Sequence, residues 1–271
     1  MTTCLSIPTR YSHEQFYAQA LFYDIAFKFK DVAQENKTII DAYKEINGTM
    51  PISFLDIAAG PATNAIAMNK LGIKAYAIDQ SQTMVNYGIA KAQKMHAEIV
   101  YLQADMQHFS LPEPVDLAAI FMASTGYLLT NQNMLQHLRM VANNLKPNGI
   151  YVLEMLHPRD VLSSGKSTST SWIDSDGDTK VSVQWGDEND SYDPITQVRM
   201  VTAHLKYTTP KDSGEIIERN EQREYTFQEM LALIELSDCF ELKKALGSWD
   251  NSIPLSNDAA AWRMILALQK K

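Results

Sequence analysis

The sequence predicts an α/β fold: a mostly parallel seven-stranded sheet with helices on both faces, and an antiparallel β insert after the fifth strand. Three observations predict it. From Ile52 to Leu156, short apolar runs alternate with amphipathic stretches, the pattern of successive βαβ units. After Leu156 the period changes to two over Lys180–Gly186, Gln197–Thr208 and Glu215–Tyr225, as in antiparallel strands. Near the end, Phe240–Leu246 and Ala260–Gln269 read as two strands that close the first sheet.

The elements follow in order. Phe16, Ala20, Tyr23, Ile25 and Phe27 recur at helical spacing, so residues 11–46 read as one or two helices before the core. Ile52–Ile57 is a first strand, Ala62–Leu71 a helix, and Gly72 a turn. Lys74–Asp79 is a second strand and Ser81–Met95 a second helix, with Ser81 supplying an N-cap hydroxyl. Ile99–Gln103 and Val115–Phe121 are the third and fourth strands. Asn131–Leu145 reads as a helix stopped by Lys146-Pro147-Asn148-Gly149, before a fifth strand, Ile150–Leu156. Ser163–Thr170 is rich in Ser, Thr and Gly and reads as a mobile loop. Turns are expected near Asn189 and at Asp212-Ser213-Gly214, and Thr226 opens a helix to about Ser237. This divides the chain into a core at 1–156, an insert at 157–225 that reads as a lid or a homodimer surface, and closing elements at 226–271.

Composition narrows the function. The 271 residues include 45% hydrophobic ones, enough for one large domain or a core with a subdomain. No apolar run reaches the roughly 18 residues of a membrane span, and Met1–Arg10 lacks the pattern of a secretory signal. The cysteines are Cys4 and Cys239 alone, which suggests a reducing, cytoplasmic setting without a disulfide framework. The net charge of -8, with no basic stripe, disfavours nucleic acid as a partner. The histidines at 13, 96, 108, 137 and 204 show no zinc spacing, and Asp174-Ser175-Asp176-Gly177-Asp178 places its glycine wrongly for a calcium loop. That run reads as a solvated turn.

Three places carry chemistry. In Leu55-Asp56-Ile57-Ala58-Ala59-Gly60-Pro61-Ala62 a strand runs through small residues into a helix, so a ligand can approach the backbone and free N–H groups. Asp79 ends the second strand, where an acid can accept hydrogen bonds from two ribose hydroxyls. Gln103-Ala104-Asp105-Met106 follows the third strand and offers an acid beside an apolar side chain, suited to an adenine.

Together these residues resemble the class I, Rossmann-like S-adenosylmethionine-dependent methyltransferases. That family's first motif is an acid followed by three alternating glycines; Asp56 and Gly60 match, while Ala58 and Ala62 replace two glycines. Asp79 matches the ribose acid and Asp105-Met106 the adenine pair. Asp116–Phe121 with Met122-Ala123-Ser124 matches the segment under the cofactor's methionine part, and Leu145–Gly149 resembles the turn before the fifth strand. The resemblance implies S-adenosyl-L-methionine as cofactor, held by Asp56, Ala58, Gly60, Asp79, Gln80, Asp105, Met106, Phe121 and Met122. It implies a small-molecule acceptor, and the order of parts is similar to small-molecule N-methyltransferases, including those that dimethylate amino sugars. Transfer to an oxygen is the runner-up, and a non-catalytic cofactor-binding module the third reading.

Such a site aligns a nucleophile with an already reactive methyl group, so position matters most and a base helps. His157, just past the fifth strand, is the candidate base, or else a loop histidine fixed beside Pro158. Tyr23 is a candidate to face the sulfonium and Tyr127 to line the acceptor pocket; both also suit plain packing. A nicotinamide dehydrogenase would need glycines at 58, 60 and 63, where the chain has Ala58, Gly60 and Thr63. The segment after Phe121 also lacks the Asn/Asp-Pro-Pro-aromatic run of amino-methylating DNA enzymes.

Overall fold

The computed structural model describes residues 19–163 and 169–271, and at 161–163 the backbone only. Phe16, Cys4, His13 and the centre of the expected Ser163–Thr170 loop lie outside the described residues. The elements are α1 (Ala20–Ala26), α2 (Val32–Asn47), β1 (Ser53–Ile57), α3 (Thr63–Lys70), β2 (Lys74–Asp79), α4 (Gln82–Lys94), β3 (Ile99–Gln103) and β4 (Val115–Ile120). A 3-10 turn (Ser124–Tyr127) precedes α5 (Asn131–Asn143), β5 (Leu145–Leu156) and α6 (Pro158–Ser163). Then come β6 (Thr170–Asp176), β7 (Thr179–Trp185), β8 (Tyr192–Asp193), β9 (Val198–Thr208), β10 (Ser213–Arg223), α7 (Phe227–Ser237), β11 (Phe240–Leu246) and β12 (Arg263–Lys270).

The first sheet has seven strands in the order β11-β12-β5-β4-β1-β2-β3. Only β12 runs against its neighbours, pairing antiparallel with both β5 and β11. β1 is buried along its whole length because helices cover both faces of its parallel neighbourhood. One face packs Leu55, Ile57, Ile78, Ile120 and Tyr151 against α5 and α7; the other packs Phe54, Leu117, Ala119 and Val152 against α2. Ser81 caps α4 as its chemistry predicts, and Thr226 caps α7 in a reciprocal capping box with Glu229.

The second sheet is antiparallel, in the order β10-β9-β7-β6, with β8 on β9. Its inner face presents Val181, Val183, Ala203, Leu205 and Ile216 to Phe22, Ile25 and Ala26 of α1. The Trp172 indole N–H donates to Ala26 O at 2.6 Å. The first helix therefore joins the insert to the core.

Several boundaries differ from expectation. The helix before β5 stops at Asn143, and Lys146-Pro147-Asn148-Gly149 lies inside β5 as a bulge. Pairing jumps from Val115↔Leu145 to Leu117↔Ile150, Asn148 is left-handed at φ 60, and Lys146 Nζ anchors the bulge on Asp116 at 3.0 Å. A Cβ at Gly149 would meet Lys146 O at 2.9 Å, so the bulge closes only over glycine. The turn expected at Asp212–Gly214 sits earlier, because Ser213 and Gly214 already pair with Thr208 and Tyr207. Asp174–Asp176 belong to β6, and Gly177-Asp178 make a tight hairpin turn with Gly177 at φ 55. The short helix α6 had no periodic signal long enough to reveal it.

Candidate active site

The chain leaves β1 through a loop in which Ala58 (φ 53), Gly60 (φ 53) and Ala62 (φ 58) are all left-handed. These are the three alternating positions of the motif. Only glycine adopts this conformation freely, and an alanine there costs about 1–2 kcal/mol. Ala58→Gly should therefore raise stability by about 0.5–1 kcal/mol, after subtracting the added freedom of the unfolded chain. Urea unfolding of the two proteins measures this; a loss of stability would show that the Ala58 methyl packs usefully.

The loop is fixed from outside. Asp79 Oδ2 accepts the Gly60 N–H at 2.8 Å and Oδ1 accepts the Ser81 N–H at 2.8 Å. The Tyr101 hydroxyl donates to Gly60 O at 2.6 Å. Burial raises the Asp79 carboxyl above its usual range, and the two N–H donors oppose that shift. The Ala104 N–H donates to Asp79 O at 2.9 Å, which sets Asp105 and Met106 beside the end of β2.

His137 holds that neighbouring loop from below. Its Nδ1 is 2.9 Å from Met106 O and its Nε2 is 2.6 Å from the Tyr151 hydroxyl. Burial pushes its pKa down to about 4, so the neutral ring donates to Met106 and accepts from Tyr151. The folded value lies below the unfolded one of about 6.5. The stability contributed is therefore complete above pH 6.5 and lost as pH falls through 4, by about 3 kcal/mol. Wild type should lose that much more stability than His137→Gln between pH 7 and pH 4 in urea melts. Parallel losses would show that the ring is not held neutral.

A cavity of about 340 Å³ opens at the carboxyl end of the sheet, with Tyr23, Asp56, Ala58, Gly60, Phe121 and Met122 in its wall. Asp56 accepts the Ala65 N–H at 3.1 Å, and burial pushes its pKa up to about 8 while Lys30 draws it down. Lys30 Nζ lies 3.3 Å from Glu35, 3.3 Å from Asn64 Oδ1 and 5.1 Å from the Phe121 ring centroid. Asn64 in turn donates to Glu35 at 2.9 Å. On the rim, Asp24 accepts from the Tyr87 hydroxyl at 2.8 Å and pairs with Lys91 at 2.7 Å, closing α1 over α4. Met122 and Ala123 are both left-handed, and Glu154 Oε2 accepts the Met122 N–H at 2.5 Å.

Of the residues expected at the site, Tyr23, Asp56, Ala58, Gly60, Phe121 and Met122 share this cavity. Asp79 reaches it through Gly60, and Tyr127 lies near enough to Tyr23 to act on its charge. Asp105 and Met106 sit outside the cavity wall, next to Asp79, and Gln80 is exposed beyond it. His157 is elsewhere. Its buried ring lies 2.9 Å from Ser256 O through Nε2 and accepts the Arg159 N–H at 3.1 Å through Nδ1. Arg159 also donates to Asn257 O and Ala261 O, so the pair clips the loop before β12 onto the end of β5. Both ring nitrogens are occupied in this loop-holding arrangement. Lys30, Glu35, Asn64 and Asp24 were not anticipated. Their lone polar positions carry no motif, and only the Tyr87/Lys91 pair, one helical turn apart, left a readable stripe.

A loop of this kind after the first strand, with an acid after the second, is the arrangement in which open α/β sheets bind nucleotide cofactors. Residues 54–149 match the family model of a methyltransferase domain. No curated protein sequence matches the chain. Its fold is similar to the crystal structure of a S-adenosylmethionine-dependent methyltransferase from Clostridium acetobutylicum, at 15% identity and TM-score 0.78, covering 94% of this chain and 98% of that one. A sugar N-methyltransferase from Streptoalloteichus aligns at 15% identity and TM-score 0.72, covering 100% and 97%. An amino pentose methyltransferase from Micromonospora echinaspora aligns at 13% and 0.71, covering 92% and 96%. Residues 54–149 thus resemble a methyltransferase domain, and the chain shares its fold with methyltransferases that depend on S-adenosylmethionine.

The residues fit that cofactor. At Gly60 a Cβ would meet, among the described residues, only Tyr23 Cε1 at 3.7 Å, which leaves room for a ligand against the backbone. Lys30 beside Glu35 and Asp56 offers both signs of charge to an amino-acid end.

Proposed function

We propose that the protein transfers a methyl group from S-adenosyl-L-methionine to a nitrogen of a small-molecule acceptor by in-line displacement. The cofactor supplies an electrophilic methyl group on a sulfonium. Asp79 receives the ribose hydroxyls, with Gln80 flanking it, and Asp105 with Met106 holds the adenine. Ala58 and Gly60 give the backbone approach. Lys30, Asp56, Phe121 and Met122 surround the amino-acid end. Tyr23 turns its ring toward the reacting centre and Tyr127 lines the acceptor side, between the core and the insert at 157–225.

The observation that carries nitrogen over oxygen is the state of the candidate bases. Burial, with nearby Tyr127 and Asp79, holds the Tyr23 hydroxyl well above its usual pKa, so it remains protonated. His157 has both ring nitrogens engaged with backbone. A hydroxyl acceptor needs a strong base, whereas a neutral amine needs alignment and exclusion of water. The similarity to sugar and amino pentose methyltransferases supports the same reading.

The test is a product screen. Enzyme, cofactor and a panel of matched amines and alcohols are incubated, and methylated products are identified by mass spectrometry. N-methyl products are expected, and His157→Ala should keep the wild-type pH–rate profile. Products methylated only on oxygen would overturn the choice of atom.

A further inference from the structure

α1 packs with the second sheet, although α2 and the core follow it directly in the chain. Phe22, Ile25 and Ala26 are part of that sheet's apolar cluster. Phe22 stacks on Tyr207 with ring centroids 4.0 Å apart, and Phe27 meets Trp172 edge-on at 5.5 Å. Just past the helix, Lys28 Nζ pairs with Asp176 of β6 at 2.9 Å. Helix and sheet form one packed body.

That body meets the core differently at its two ends. At the β10 end the Tyr225 hydroxyl donates to Leu128 O, and a Cβ on Gly126 of the 3-10 turn would lie 3.4 Å from Arg223 O. Backbone is fastened close to backbone there. At the α1 end the contact is interrupted by the cavity of about 340 Å³, which is bounded by Leu21, Tyr23 and Asp24 on one side and by the β1 loop on the other. A ligand in that cavity lies under α1.

The grip of α1 on α4 is polar. Asp24 accepts from the Tyr87 hydroxyl at 2.8 Å and from Lys91 at 2.7 Å. Tyr87 and Lys91 stand one turn apart on the same face of α4. Lys91 also donates to Thr63 Oγ1 at 2.8 Å, so the core keeps its ammonium in place when Asp24 moves away. The side chains of Asp24 and Lys91 are 22% and 18% exposed. That shielding makes the pair stronger than a surface ion pair, and the remaining exposure lets it part without stranding a buried charge.

We propose that α1 and the second sheet swing as one clamp about the β10 end, and that Asp24 with Tyr87 and Lys91 is the catch that shuts the clamp over the cofactor. This rests on the reading of the cavity as the S-adenosylmethionine site and adds how that site is loaded. The cofactor enters and leaves while the catch is open, so both rates scale with the open fraction. A weaker catch raises that fraction in free and loaded protein alike, so affinity changes less than either rate.

Stopped-flow binding of S-adenosylhomocysteine to the full chain tests the clamp. Tryptophan fluorescence is the signal, since Trp249 lies 5.6 Å from Phe121 in the cavity wall. Asp24→Asn removes the charge of the catch; Tyr87→Phe removes one hydroxyl and keeps the ring. Association and dissociation should both quicken, about fivefold or more in Asp24→Asn and about two- to fourfold in Tyr87→Phe, the scale on which one partly shielded polar contact biases a two-state equilibrium. The dissociation constant should stay within about threefold of wild type. Lys244→Met, which cuts an ion pair to Glu45 inside the core, should change neither rate. Unchanged rates in both catch variants, faster dissociation with unchanged association, or equal acceleration in Lys244→Met overturns the inference. Failure of S-adenosylhomocysteine to bind the wild type would instead overturn the methyltransferase reading.

Discussion

Glu154→Ala is expected to destabilise the protein by about 2–4 kcal/mol and to weaken cofactor binding at the same time. Glu154 is 2% exposed, in the middle of the sheet, on β5. One oxygen accepts the Met122 N–H at 2.5 Å and the other lies 3.0 Å from Arg263 Nε on β12. Truncation leaves a charged partner without its counter-ion, which costs several kcal/mol when that partner is shielded from water. Arg263 is 23% exposed, which keeps the loss below the upper end of that range. The second consequence comes from backbone strain. Met122 and Ala123 are consecutive left-handed residues, a conformation that persists only when neighbours hold it. Met122 lines the cavity, so releasing its N–H should let the loop relax away from the ligand. Glu154→Gln keeps an acceptor for that N–H and should cost about half as much. Urea melts and cofactor titrations of both variants check this; equal stability of Glu154→Ala and wild type would remove Glu154 from the account.

Asp79→Ala should weaken cofactor binding about 10- to 150-fold, the equivalent of 1.5–3 kcal/mol for hydrogen bonds to a charged group. The carboxylate does two jobs. It receives ligand hydroxyls in the proposed reading, and it tethers the Gly60 and Ser81 N–H groups at 2.8 Å each. Asp79→Asn separates them, since its amide oxygen can keep one tether while the charge is lost. Global stability should fall far less than affinity, because Asp79 lies at a strand end outside the apolar clusters. A dissociation constant within twofold of wild type would reduce Asp79 to a turn-forming residue.

Much of the core was legible because periodicity reports burial directly. Lys74–Asp79, Ile99–Gln103 and Phe240–Leu246 stand in the structure with the boundaries read from their sequence. Each is a short run bounded by turn residues. Lys146-Pro147-Asn148-Gly149 misled because a proline and a glycine stop a helix and shape a strand bulge equally well. The site divides along the same line. Ala58, Gly60 and Asp79 were readable because their backbone geometry demands particular residues at fixed spacing. Lys30 was not, because its place depends on contacts with Glu35, Asn64 and Phe121, on elements that the sequence does not tie together. His157 shows the reverse failure. Its place after a core strand suggested chemistry, but Arg159 and the 256–261 loop claim both nitrogens and the space around them.

The most direct test is calorimetric titration of the purified protein with S-adenosylmethionine, S-adenosylhomocysteine and NAD. The structure predicts saturable binding of both sulfur ligands and none of the dinucleotide. It also predicts tighter S-adenosylmethionine binding as pH rises from 7 to 9. Asp56, with its pKa raised to about 8 in the free protein, must lose its proton to face a cationic ligand. Absence of heat with either sulfur ligand at millimolar concentration, or saturable binding of NAD in their place, would contradict the account.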